Sequence, residues 1–234
     1  MRHNRAYGEK LTNVKPFLSR QPVYTGQFDH YFIPAQRQRT LRPKLIVVMH
    51  GRGDSLNPFK RFDRELDLGE ANYLLLNAPR KYLDGYTWYA FPPHQARGVL
   101  QARKRLRILF FELEAQGWDL RDVFLLGFSQ GCLVGCDFGM TFHKPFGGVV
   151  GISGYIYFFS GWRKRLPPAA FKTPFLITHG VHDEDLAIEE TYDSVVEMQR
   201  AKLLVEWKEF NKDHEIDPLK ELPYIRKWIR SQYS

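Results

Sequence analysis

Val123-Phe124-Leu125-Leu126-Gly127-Phe128-Ser129-Gln130-Gly131 decides the reading of this chain. An apolar strand breaks directly into a Gly-x-Ser-x-Gly turn, and an apolar helical stretch follows from Gly131 to about Phe142. In such an elbow the serine sits in strained backbone geometry, and the flanking glycines let strand and helix pack closely. An unassisted serine hydroxyl is a poor nucleophile, so the turn has to present Oγ to a base and to backbone N–H donors. At average glycine usage the bare pattern recurs by chance in roughly one chain of this size in ten. The strand before it and the helix after it lift it above coincidence.

The same unit of apolar strand, turn and amphipathic helix repeats on either side. Upstream, Leu45 to Met49 reads as a buried strand ending at His50-Gly51, Pro58 to Leu68 as a helix, and Tyr73 to Asn77 as the next strand. A long turn, Tyr82 to Pro93, precedes a helix from about Gln95 to Gln116 that Gly117 ends. Downstream come strands at Gly147 to Ile152, Phe175 to His179 and Leu203 to Phe210, with helices near Glu189 to Ala201 and Leu219 to Ile229. Alternation over Val23 to Ile33 suggests a first antiparallel hairpin or an edge strand. Continuous apolar strands separated by helices predict an α/β fold with a mostly parallel sheet covered on both faces. Right-handed crossovers would align the strand C-termini along one edge, where open α/β sheets bind ligands. With no internal repeat or low-complexity linker, residues 1–234 read as one domain.

Composition narrows the classes. Apolar residues make up 44% of the chain, enough for a large core and unlike a disordered protein. No run approaches the ~18 to 20 apolar residues that span a bilayer, so integral membrane insertion is not expected. Residues Met1 to Lys10 carry charge without an apolar segment and do not read as a secretory signal. Cys132 and Cys136, at i and i+4 on the helix after Ser129, are poorly spaced for a disulfide and read as small buried hydrophobes in a reducing, cytosolic compartment. The net charge is +8, with cations concentrated in Arg97, Arg103, Lys104, Arg105, Arg107 and in Arg163-Lys164-Arg165. Interleaved Leu100, Leu106, Leu109 and Phe110 make the first cluster the wet face of an amphipathic helix. Zinc-finger spacing and RNP-type aromatics are absent, so nucleic acid is not the expected partner; weak contact with anionic surfaces is compatible with the charge.

If Ser129 is a nucleophile, an acid and then a histidine should follow it in the chain. The best acidic loop is His179-Gly180-Val181-His182-Asp183-Glu184-Asp185, just past a strand, and His214 is the histidine that lies beyond it. Asp183 is preferred to Asp185 because it comes earlier after the strand, and Glu184 ranks below both. His214 falls in the polar loop after the last strand, so all three positions reach one sheet edge. His214 would take the Ser129 proton and later protonate the leaving group, and Asp183 would hold the imidazole tautomer. Oxyanion donors would be the backbone N–H groups of Gln130 and of Arg52, the latter in the loop His50-Gly51-Arg52-Gly53. His50 itself reads as a loop-orienting residue. A metal reading of His179 to Asp183 is disfavoured because no HExxH helix or cysteine ligand supports it.

These residues resemble the phospholipase/carboxylesterase group of α/β hydrolases, which includes acyl-protein thioesterases. The resemblance rests on His50-Gly51-Arg52-Gly53-Asp54, Asn77-Ala78-Pro79, Trp88, Gly127 to Gly131, Ile152-Ser153-Gly154, His179-Gly180 through Asp183, and His214. It implies an α/β-hydrolase fold without a large cap, no cofactor, Ser129, Asp183 and His214 in catalytic roles, and Arg52 and Gln130 at the oxyanion. The expected activity is a serine carboxyl-ester hydrolase acting on short to medium acyl esters through an acyl-enzyme. Acyl-protein thioesterase or lysophospholipase activity is the alternative; a serine peptidase or amidase, or a non-catalytic binding protein on this fold, is more remote. Asp213 stands where related sequences usually have Gly, and is expected to raise the imidazole pKa. Arg52 replaces an apolar residue common in the thioesterases. Trp88 is a candidate lining residue of the acyl pocket, and aromatics Tyr155 to Phe159 with Trp162 read equally as a short lid or as packing beneath a connection.

Overall fold

The computed structural model describes residues 22–37 and 42–233. The expectation for Met1 to Lys10 lies outside them. The described residues build a seven-stranded sheet in the order β1-β3-β2-β6-β7-β8-β9. β1 (His30–Ile33) pairs antiparallel with β3 (Ala71–Leu76). All later neighbours run parallel: β2 (Lys44–Met49), β6 (Val123–Phe128), β7 (Gly148–Ile152), β8 (Pro174–Gly180) and β9 (Leu204–Phe210). Of the two readings of Val23 to Ile33, a hairpin or an edge strand, the edge strand β1 is what forms.

β2 and β3 are buried at every residue, as a parallel strand covered on both faces must be. Their alternation divides the core. Val47, Met49 and Leu125 face one side with α2 (Gln95–Ala115), α3 (Gln130–Thr141) and α4 (Ile188–Arg200). Ile46, Val48 and Leu126 face the other with α1 (Phe62–Glu65) and α5 (Glu221–Ser231). The helix expected over Pro58 to Leu68 is shorter, a 3-10 turn at Pro58–Arg61 leading into α1. Its apolar residues Phe59, Phe62 and Leu66 still reach the core, which is the signal the pattern carried.

A hairpin, β4 (Arg80–Tyr82) and β5 (Gly85–Thr87), occupies what reads from sequence as a long turn. Its two-residue turn is Leu83-Asp84, with Leu83 at φ 50°, and Gly85 pairs with Tyr82 across it. No helix among the described residues is long and apolar enough to cross a membrane. Cys132 and Cys136 are buried and unbridged. The chain leaves β2, β6, β7, β8 and β9 at the same sheet edge, where Arg52, Ser129, Ser153, Asp183 and His214 follow.

Candidate active site

Ser129 lies between β6 and α3 at φ 53° and ψ −115°, a conformation costing a non-glycine residue roughly 1–3 kcal/mol. Surrounding contacts hold it there. Its N–H donates to the Ile152 carbonyl at 2.9 Å, and its carbonyl accepts the Cys132 N–H at 3.0 Å. Gly131 sits so close to the Met49 and His50 carbonyls, and Gly127 to the Gly131 backbone, that a Cβ at either would overlap backbone atoms.

The structure brings the three sequence-predicted side chains together. Ser129 Oγ is 3.0 Å from His214 Nε2, and His214 Nδ1 is 2.8 Å from Asp183 Oδ2. An ionised carboxylate only accepts, so the imidazole proton resides on Nδ1 and leaves Nε2 free to accept from the serine. The other oxygen, Asp183 Oδ1, accepts the N–H groups of Asp185 at 3.1 Å and Leu186 at 2.9 Å. His179 Nε2 approaches Asp183 Oδ2 at 3.2 Å and the Leu186 carbonyl at 3.0 Å. Burial lowers the His179 pKa, which keeps that ring neutral. Asp185 lines the cavity instead, and Asp213 is exposed, with neither ring nitrogen of His214 bound to it. The Phe128 ring packs against the imidazole with centroids 5.1 Å apart.

A cavity of about 470 Å³ opens beside Ser129 and His214, lined also by Arg52, Tyr89, Phe91, Gln130 and Tyr155. Among the described residues the backbone N–H groups of Arg52 and Gln130 have no intramolecular acceptor, and both residues border this cavity with the serine. The Arg52 guanidinium lies 3.4 Å from the Phe91 ring centroid, a cation–π stack at the rim.

Trp88 is not among the residues lining the cavity; Tyr89 and Phe91 line it instead. The indole is only 1% exposed because its Nε1–H donates to the His50 carbonyl at 2.9 Å, drawing it inward. The aromatic segment divides similarly. Tyr155 borders the cavity, whereas Phe158 stacks on Trp162 at 4.2 Å and both pack against the core.

Several supports were not legible in the pattern. The Gln130 side chain accepts from Thr87 Oγ1 at 2.9 Å and the Trp88 N–H at 3.0 Å, and donates to the Tyr89 carbonyl at 3.0 Å. One glutamine thereby ties the elbow to the strand β5 and the residues after it. The same hairpin exchanges backbone bonds with the loop after β2: Gly53 N–H to Tyr86 O and Tyr86 N–H to Asp54 O, both 2.8 Å. His50 accepts the Ala78 N–H at Nε2, 3.0 Å, and donates through Nδ1 to the Gly51 carbonyl. The loop carrying the Arg52 N–H is thus held from both sides. Among the described residues no group of three His, Cys, Asp or Glu converges as metal ligands would.

A strained serine turn, a hydrogen-bonded carboxylate, imidazole and hydroxyl, and an open cavity thus meet on one edge of a parallel sheet. The Phospholipase/Carboxylesterase family model matches residues 33–232. The chain belongs to that family. The carboxylesterase SOBER1 of Arabidopsis thaliana is 28% identical over 203 residues, covering 79% of this chain and 89% of that protein. Its crystal structure superposes with a TM-score of 0.76 over 81% of this chain and 99% of that one. Acyl-protein thioesterase 1 of Aspergillus fumigatus is 27% identical over 175 residues, 66% of this chain and 71% of its own length. A probable inactive carboxylesterase of Oryza sativa is 26% identical, covering 82% of this chain and 85% of that protein. The fold is that of an α/β hydrolase, and no large cap is inserted among the described residues.

Proposed function

We propose that the protein is a serine carboxyl-ester hydrolase of the EC 3.1.1 type in which Ser129, His214 and Asp183 form the triad. The observation carrying this reading is the unbroken relay from Asp183 Oδ2 through His214 to Ser129 Oγ, opening on the cavity. His214 Nε2 takes the serine proton as Oγ attacks the ester carbonyl, and the imidazolium that results is stabilised by Asp183. The oxyanion is met by the N–H groups of Arg52 and Gln130, each such donor being worth roughly 10²–10³ in rate. His214 then protonates the departing alcohol, and water hydrolyses the acyl-enzyme by the same route in reverse roles.

A cavity of about 470 Å³ with Tyr89, Phe91 and Tyr155 in its walls suits short to medium acyl esters. The resemblance to an acyl-protein thioesterase favours thioesters as the second substrate class, and membership of the Phospholipase/Carboxylesterase family adds lysophospholipids. Matching rates on oxygen esters and thioesters of increasing acyl length separate these. We place the enzyme in a reducing, cytosolic compartment, its exposed Arg97, Lys104 and Arg107 allowing weak contact with anionic surfaces. Co-sedimentation with anionic vesicles should be seen at low salt and vanish within the physiological range.

A fluorophosphonate should label Ser129 alone. Ser129→Ala should abolish labelling and lower p-nitrophenyl ester turnover by at least about 10³-fold with an unchanged melting temperature. Resistance of the native protein to the label would favour the non-catalytic reading, in line with the Oryza sativa relative named a probable inactive carboxylesterase.

A further inference from the structure

Two residues before His214 the chain buries a lysine. Lys212 is 5% exposed, and its ammonium meets three acceptors: Glu221 Oε2 at 2.9 Å, Ser153 Oγ at 2.9 Å and the Glu215 carbonyl. Three donors facing three oxygens leave the ammonium fully satisfied. Glu221 opens α5 and is fully buried; its Oε2 also accepts the Asp217 N–H at 3.1 Å. Ser153 follows β7 at φ 46°, its N–H bound to the Thr178 carbonyl at 2.9 Å.

The backbone of the same residue is fixed independently. The Lys212 carbonyl accepts the His182 N–H at 3.2 Å, and it lies so near Gly180 that a Cβ there would overlap it. The side chain therefore fastens residues 212–217 to the end of β7 and the start of α5, and the carbonyl of the same residue ties them to the end of β8. His214 is in the middle of the fastened segment. A buried ion pair is a weak source of stability, because desolvating both charges offsets most of their attraction. What this pair does control is position, and reactive geometry is sensitive to it: a displacement of about 1 Å can cost 10²-fold in rate.

We propose that Lys212, held by Glu221, is a positioning residue that sets the His214 imidazole against Ser129 Oγ. The inference rests on the triad reading above. It acts through the imidazole, so it has no effect where the imidazole is missing.

The test compares wild type, Lys212→Met/Glu221→Met, Glu221→Gln, Ser129→Ala and His214→Ala in p-nitrophenyl ester kinetics and fluorophosphonate labelling. The double methionine variant removes both charges with little change of volume and is expected to fold, checked by its melting temperature. Its kcat and labelling rate should fall about 10- to 100-fold, with KM within about twofold of wild type. Glu221→Gln should lower kcat severalfold in the same manner and decides the matter if the double variant does not fold. Placed in the His214→Ala background, either change should lower the residual rate no further. Wild-type kcat in the folded variants, or an equal loss with and without His214, overturns the proposal. Wild-type turnover that survives Ser129→Ala overturns the triad reading, and this inference with it.

Discussion

His50 donates through Nδ1 to the Gly51 carbonyl and accepts the Ala78 N–H at Nε2, so backbone groups engage both ring nitrogens. Burial pushes its pKa down, and the neutral ring is the form these two bonds require. The residue therefore shapes the loop after β2 and takes no proton from a substrate. His50→Ala leaves the Ala78 N–H buried without an acceptor and should destabilise by about 1–3 kcal/mol in urea unfolding. Its esterase rate should fall as well, because the loop it releases carries the Arg52 N–H. A variant as stable and as active as wild type would reduce His50 to a bystander.

α2 and α3 are joined by Arg103, whose Nε and Nη2 bind the two carboxylate oxygens of Asp137 at 2.8 and 2.6 Å. Asp137 is only 2% exposed, and burial raises its pKa despite the guanidinium beside it. The pair carries an asymmetric cost. Arg103→Met abandons a buried carboxylate and should cost about 3–5 kcal/mol, whereas Arg103→Met with Asp137→Leu should recover most of that loss. Because α3 begins at the elbow, the single variant should also slow Ser129 labelling; thermal melts with labelling rates check both statements. Recovery absent from the double variant would mean that the charges themselves hold the helices together.

Across the whole molecule, stability should depend on pH through His50 and His179, both shifted below 6.5 by burial. In the interval between their folded values and 6.5 the unfolded chain binds more protons than the native one. The unfolding free energy therefore rises with pH there; this stability is present above 6.5 and lost as pH falls through the folded values. Melting temperatures should be flat above about pH 7 and decline toward about pH 5, with a shallower decline in His179→Asn. An equal slope in that variant would assign the acid limb to other groups.

What the chain alone determined is what depends on local pattern. Apolar runs such as Leu45 to Met49 bury on both faces and must be parallel strands, and their order sends Ser129, Asp183 and His214 to one edge. The central strands and the turn at Ser129 were legible for that reason, whereas the short α1 and the β4–β5 hairpin were not. Tertiary structure decided whatever depends on which polar atom meets which. Trp88 turned inward because the His50 carbonyl was there to receive its N–H. Gln130 clasped the residues after β5, and Lys212 found Ser153 and Glu221 across 59 and 9 positions. Hydrophobic burial is periodic and can be read along a strand, whereas a buried hydrogen bond depends on a partner whose distance only the folded chain sets.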